Sequence, residues 1–331
     1  MTLAVLHLGV AVASDMPEGA YKARPGDHEV AVHLDSWTDT SRRRDIPVKV
    51  YLPTAGKGPF PVIVFSHGLG GSRNGYEYLG RHWASHGYVS VHLQHPGSDE
   101  SVWKDKPRKD ILKLMRKAAA NPINAVHRPR DVSFVIDRLE QLNRTEAPFK
   151  GRLDLDRLGV AGHSFGAYTT NAVAGTAVFT RRGRKITARD RRVKAVIPMS
   201  SPVPGDAKRH KEMFGAIDIP SLHMTGTKDT SIINDTPAEK RLIPYRFATH
   251  PETYLLVFED GDHMVFSGRN QPGRDDSNDA RYHGLILQSS TAFWDAYLRE
   301  DPRARTWLRD GGFKKQLSDG GTFEHKPDKA D

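Results

Sequence analysis

A serine lies between two glycines in Gly162-His163-Ser164-Phe165-Gly166, directly after the apolar run Leu158-Gly159-Val160-Ala161. A strand that ends in Gly-x-Ser-x-Gly and turns straight into a helix holds its serine on a sharp, strained corner. Oγ then stands out at the carboxyl edge of a sheet, and only glycine-sized neighbours let the helix pass. Ser164 is therefore the candidate nucleophile. The same five-residue pattern also arises by chance in loops, and the strand before it and helix after it are what favour the chemical reading. A hydroxyl needs a base within hydrogen-bond reach, and the base needs a third group to orient it and offset its developing positive charge. In a strand-turn-helix setting these partners follow the serine in the order acid, then histidine. Asp229, in Met224-Thr-Gly-Thr-Lys-Asp-Thr230, and His263, in Glu259-Asp-Gly-Asp-His-Met264, each come after an expected strand. Asp229 could instead cap a turn. Glu259, Asp260 and Asp262 compete with it, although they sit too close in sequence to His263 to lie naturally behind its Nδ1. His67, His95 and His163 compete with His263, whose place after the last strand favours it.

Attack on a carbonyl also requires donors for the oxyanion, usually two backbone N–H groups: that of the residue after the nucleophile and one from the loop after an earlier strand. Phe165 offers the first. Ser66-His-Gly-Leu-Gly-Gly-Ser72, after the apolar Pro61–Phe65 run, offers the second through Leu69. A glycine-rich loop could instead cradle phosphate, but no Lys-Ser/Thr pair follows it. His92 and His95 could be imagined as a metal pair, yet no third ligand is evident, so neither metal nor organic cofactor is expected. Cysteine is absent, which removes disulfides and thiolate chemistry and leaves oxygen or nitrogen as nucleophile.

These groups need a sheet whose carboxyl edge gathers them. Val30–Leu34 and Ile46–Leu52 alternate apolar and polar, as an antiparallel pair at a sheet edge does. Pro61–Phe65 and Tyr88–Leu93 read as strands buried on both faces, with residues 73–86 as the crossover helix between them. Val132, Val135, Ile136 and Leu139 share a helical face ahead of the Leu158–Ala161 strand. Three further strands follow at 193–198, 220–225 and 254–258, then a closing helix with Leu285, Ser289, Ala292, Phe293, Ala296 and Tyr297 along one side. The order predicts an α/β fold, a doubly wound, mostly parallel sheet with antiparallel N-terminal strands.

The chain has 331 residues, read as an N-terminal extension (1–27), one catalytic domain (28–313) and a polar, glycine-rich tail (314–331) expected to be loose. Within the domain, 98–130 carries nine Lys and Arg against four Asp and Glu, with Ile111, Leu112, Leu114 and Met115 in a short amphipathic helix. This small basic insertion reads as a flap; 104–117 could touch anionic lipid, while a solvated crossover connection is the ordinary alternative. The net charge of +9 accompanies 40 interspersed acidic residues and no RNP motif, zinc knuckle or recognition helix, so nucleic acid is not an expected partner. Beyond the N-terminus no apolar run reaches the roughly 18 residues of a membrane span. Met1–Ala13 ends in Ala11-Val12-Ala13, like a secretory signal before a small-residue cleavage site, but lacks the basic start. A secreted or periplasmic location is favoured over a cytoplasmic one, with an N-terminal strand or tail as the other reading of this segment.

Phe65-Ser-His-Gly-Leu-Gly70, Ala84-Ser-His-Gly-Tyr88 and Gly162-His-Ser-Phe-Gly166 together resemble the α/β-hydrolase superfamily. Within it they resemble the plasma-type platelet-activating factor acetylhydrolases and the bacterial dienelactone-hydrolase-like serine esterases, over about residues 28–310. The resemblance implies an α/β-hydrolase fold with Ser164 as nucleophile, Asp229 as acid, His263 as base, and Leu69 and Phe165 as oxyanion donors. It further implies a serine carboxylic-ester hydrolase acting on a small-molecule or lipid-like ester with a short acyl group, aromatic polyesters being an alternative. Two departures matter. Dienelactone hydrolases use a cysteine, which excludes their usual mechanism here, and Ala167 stands where the branch often has glycine. A serine peptidase or amidase is less favoured, since nothing marks a size-selecting domain; a non-catalytic binding module would be expected to show a broken triad.

Overall fold

The computed structural model describes residues 21–326, except 180–182, 204, 206, 232, 234–235 and 270–272. The signal-like segment lies outside the described residues. Two long strands, β1 (Val30–Asp39) and β2 (Arg44–Pro53), form the expected antiparallel pair. Then come β3 (Phe60–Ser66), α1 (Glu77–Ser85) and β4 (Val89–Leu93), with β3 and β4 buried along their whole length. The connection onward carries α2 (Arg108–Ala120) and α3 (Pro122–Thr145), and leads to β5 (Leu153–His163), α4 (Phe165–Ala174) and a small hairpin, β6 (Ala177–Phe179) with β7 (Lys185–Thr187). The second half runs β8 (Val193–Met199), α5 (His210–Phe214), β9 (Ser221–Lys228), α6 (Ile243–Phe247), β10 (Thr253–Asp262) and α7 (Asp279–Tyr297). It closes with α8 (Pro302–Arg309), α9 (Gly312–Leu317) and β11 (Gly321–His325).

Among the described residues nine strands make one sheet in the order β1-β2-β4-β3-β5-β8-β9-β10-β11. The six from β4 to β10 run parallel, in a register that aligns Val91, Val64, Val160 and Val196 across the middle. β-Branched residues at these positions fill a sheet covered on both faces. Alternate residues of one strand feed opposite cores. Ile63 and Phe65 face the layer built by α1, α7, α8 and α9, where Trp83 meets Trp294 edge-on at 6.0 Å. Val62 and Val64 face the layer of α3 and α4, and Val132, Val135, Ile136 and Leu139 of α3 are wholly buried there. The six residues expected to line the closing helix all lie on α7 (Leu285, Ser289, Ala292, Phe293 and Ala296 buried, Tyr297 partly so).

Two expectations are corrected. The flap ends earlier than residue 130, because Asn121 stops α2 and starts α3: its side chain accepts from the Ile123 N–H at 3.0 Å, and Pro122 fills the first helical position. Residues 122–130 are therefore the first turns of the crossover helix, and α2, with no buried residue, remains as the appended helix. The tail is not loose through residue 325. β11 pairs antiparallel with β10, and Phe323 stacks on Tyr254 at 5.7 Å. A short strand with one inward apolar residue reads as polar, yet it covers a sheet edge that would otherwise stand open. No described helix is long and apolar enough to cross a membrane.

Histidine is unusually prominent in this interior. Burial holds His82, His92, His95 and His223 down to about 3, against 6.5 for a free imidazole. Each is neutral when folded and protonates more readily when unfolded, so its contribution to stability is complete above about pH 6.5 and is lost as the pH falls from there toward 3. Urea midpoints measured at intervals from about pH 7 to pH 4 are expected to fall steadily, with uptake of more than one proton on unfolding. A flat profile would contradict the neutral assignment.

Candidate active site

The central strand β5 delivers the site. It ends at His163, and Ser164 then turns with φ 56° and ψ −117°, a positive φ that a non-glycine residue adopts only under strain, before α4 begins at Phe165. The corner is tight because α4 must cross the end of β3. A Cβ on Gly166 would run into the Ser66 carbonyl, and one on Gly162 would come within 2.5 Å of the Gly166 carbonyl oxygen. The Ser164 N–H donates to the Met199 carbonyl of β8 at 2.9 Å, fixing the corner from its other side.

Ser164 Oγ lies 2.9 Å from His263 Nε2, and His263 Nδ1 lies 2.7 Å from Asp229 Oδ1. The three residues stand at the carboxyl ends of β5, β9 and β10, on one edge of the sheet. Asp229 is wholly buried and also accepts from Thr225 Oγ1 and Ser200 Oγ, each at 2.8 Å, with Arg241 Nε 3.4 Å away. Burial alone would raise its pKa. The hydrogen bond and charge of His263, followed by the charge of Arg241, outweigh that and hold the carboxyl well below the usual carboxylate range. An ionised Asp229 fixes the imidazole with its proton on Nδ1, leaving Nε2 free to accept the serine proton.

The competing acids have other work. Asp260 pairs with Lys228 at 2.9 Å. Asp262 accepts from Arg274 at 2.6 Å and from the Met264 and Val265 N–H groups. Glu259 is exposed on β10. The competing histidines are taken up as well. His163 Nδ1 accepts from the Tyr76 hydroxyl at 2.8 Å while Nε2 donates to the His263 carbonyl at 2.9 Å; burial, then the charge of His263, keeps the ring neutral. His67 donates through Nδ1 to the Gly68 carbonyl at 2.6 Å and accepts the His95 N–H on Nε2 at 3.0 Å. His95 donates through Nδ1 to Asp131 at 2.9 Å and accepts from Ser66 Oγ on Nε2 at 2.8 Å. His92 donates to the Gly75 carbonyl at 3.2 Å and stacks on Phe65.

The loop after β3 arches beside Ser164, and its polar groups are used one by one. The Gly68 N–H points at the Tyr76 hydroxyl at 3.4 Å, the Gly70 N–H donates to the Ser98 carbonyl at 2.9 Å, and the Gly71 N–H donates to the Gly68 carbonyl at 3.1 Å. The Gly70 carbonyl accepts from the Trp103 indole at 2.7 Å. Among the described residues the N–H groups of Leu69 and Phe165 have no protein acceptor. The sequence reading missed Ser200, whose hydroxyl touches both Asp229 and His263 Nδ1 at 2.8 and 2.7 Å, and Arg241, which donates to the Ser200 carbonyl at 3.2 Å. Ser200 directly follows β8 at the same sheet edge, so its position was a usable signal. Arg241 sits in a short 3₁₀ helix, Ala238–Leu242, whose sequence carries none.

The comparisons with known proteins agree with this architecture. A family model described as platelet-activating factor acetylhydrolase, isoform II, matches residues 33–113. The platelet-activating factor acetylhydrolase of guinea pig (Cavia porcellus) is 26% identical over 294 residues, 79% of this chain and 63% of that protein. The enzymes of the same name from dog (Canis lupus familiaris) and cattle (Bos taurus) are 30% and 29% identical over 143 residues, 33% of this chain and 31% of each relative. The match thus spans less than two thirds of each relative's length. The chain is similar to these acetylhydrolases, as its motifs led one to expect, and its nine-stranded sheet with antiparallel N-terminal strands is an α/β-hydrolase fold.

The corner admits a direct test. Gly166→Ala forces a methyl group against the Ser66 carbonyl and should lower unfolding stability by about 3 kcal/mol, measured by denaturant titration. An unchanged midpoint would mean that α4 can move off β3 freely.

Proposed function

We propose that this α/β-hydrolase-fold chain is a serine carboxylic-ester hydrolase acting on short-acyl or lipid-like esters. The observation that supports it most is the unbroken line from Ser164 Oγ through His263 to the buried carboxylate of Asp229, at 2.9 and 2.7 Å. His263 Nε2 takes the proton as Ser164 Oγ attacks the ester carbonyl. The oxyanion is received by the Leu69 and Phe165 N–H groups, His263 returns the proton to the departing alcohol, and water repeats the cycle on the acyl-enzyme to release the acid. Asp229 keeps the imidazole in the productive tautomer throughout. Similarity to proteins named platelet-activating factor acetylhydrolase favours a lipid ester with a short acyl group over a peptide or a polyester.

The flap favours an interface as the place where such an ester is met. Arg108, Lys109, Lys113, Arg116 and Lys117 share α2 with Asp110 as its one acid, and Leu112, Ile123 and Val126 near it are 41%, 57% and 50% exposed. Hydrolysis of an ester carried in anionic vesicles should therefore fall as salt is added, and a salt-independent rate would remove this part of the reading.

Hydrolysis of p-nitrophenyl esters from acetate to palmitate tests the chemistry. Activity is expected to fall with chain length, to vanish in Ser164→Ala, and to drop by about three to four orders of magnitude in Asp229→Asn with KM little changed. Full activity in Ser164→Ala would sink the assignment. Absence of both turnover and phosphonate labelling in the unaltered protein would hand the lead to a binding module built on the same fold.

A further inference from the structure

We propose that Arg128 is the positioning residue of the oxyanion hole, a side chain that joins its two halves; the inference rests on the serine-hydrolase reading above. Arg128 lies on the inner face of α3 and is wholly buried. Its guanidinium serves both sides of the hole at once. Toward the loop that carries Leu69, Nη2 donates to Ser66 Oγ at 3.2 Å and to the His67 carbonyl, while Nη1 donates to Ser98 Oγ at 2.8 Å. Ser98 in turn receives the Gly70 N–H on its own carbonyl. Toward the helix that carries the other donor, Nε donates to Thr169 Oγ1 at 3.0 Å, and the guanidinium carbon lies 4.5 Å from the centroid of the Phe165 ring. The residues on either side of Leu69, and the side chain of Phe165, are thus registered against one rigid, planar group. The spacing of the two N–H donors follows from it.

The electrostatics favour the same role. Asp131, one turn along α3, is already held by Arg42, Arg44 and His95, so the guanidinium is satisfied by neutral acceptors and an aromatic face rather than by a paired carboxylate. A buried cation without a counter-ion is costly in the resting protein. Beside a site where negative charge develops during attack, that cost is relieved in the transition state and not in the ground state, which is the condition for speeding a reaction. Ser66, His95 and Asp131 form a second serine-histidine-acid line, fully buried; it orients the Ser66 oxygen toward Arg128 and does no chemistry of its own.

The test is steady-state hydrolysis of p-nitrophenyl acetate by the full chain and by Arg128→Met and Arg128→Lys, alongside Ser164→Ala, with thermal unfolding recorded for each and assays run well below every transition. Arg128→Met is expected to lower kcat about 10²-fold with KM changed by no more than about twofold, since the donors remain but their spacing is lost. Arg128→Lys should recover about tenfold of that loss by restoring the charge without the fork. Should Arg128→Met fail to fold, Thr169→Val and Ser98→Ala each remove one acceptor and should each lower kcat severalfold at constant KM. A folded Arg128→Met with kcat within about twofold of the parent, or unchanged kcat in both acceptor variants, overturns the inference while leaving the hydrolase reading intact. A parent protein with no turnover and no phosphonate labelling overturns both.

Discussion

The structure depends on one tight crossing, where the first turn of α4 passes over the end of β3. It brings the Gly166 backbone onto the Ser66 carbonyl, leaving no room for a side chain, and it forces Ser164 to φ 56°. Strain of this kind costs on the order of 1–3 kcal/mol and persists only where the surroundings over-determine it. They do so here: the Ser164 N–H is tied to β8, its carbonyl accepts the Tyr168 N–H inside α4, and Ser66 is tied to His95 from below. Once the crossing is made, the direction of Oγ, the free N–H of Phe165 and the proximity of the Leu69 loop all follow from it.

Beneath that crossing lies a polar floor unusual for the middle of a sheet. Ser66, His67, His95, His163, Tyr76, Arg128 and Asp131 are buried and engaged with one another or with the backbone around the site. An ionised Asp131 fixes the His95 tautomer, which orients the Ser66 hydroxyl, just as the His263 carbonyl, able only to accept, fixes the His163 proton on Nε2 and so makes the Tyr76 hydroxyl the donor to Nδ1. A network satisfied in this way rigidifies what it surrounds, whereas the same groups unsatisfied would destabilise the fold. Apolar side chains would be less costly here but could not specify the orientation of the loop peptide units.

Much of this was legible in the chain because the informative signals are local. Val and Ile runs marked the central strands, the periodicity of Val132 to Leu139 marked α3, and the glycines around Ser164 marked the corner. The order acid, then histidine, pointed to Asp229 and His263, and the structure brings both to Ser164. What escaped was set by partners distant in sequence. Ser200 and Arg241 act on Asp229 across 29 and 12 residues, and Arg128 reaches Ser66 across 62, with no spacing rule to announce any of them. In the sequence Arg128 is one of nine basic residues between 98 and 130, although it shares the helical phase of Val132 and Val135. β11 was hidden because a single Phe323 carries its inward face.

The indole of Trp103 ties the flap to the loop beside Ser164 by packing as well as by a hydrogen bond. Its N–H is anchored on the Gly70 carbonyl, and the space a Gly70 side chain would need is occupied by that indole and by Met115 of α2. The appended helix and the loop beside Ser164 therefore meet at one peptide unit, and any side chain at position 70 could be housed only by displacing both Trp103 and Met115.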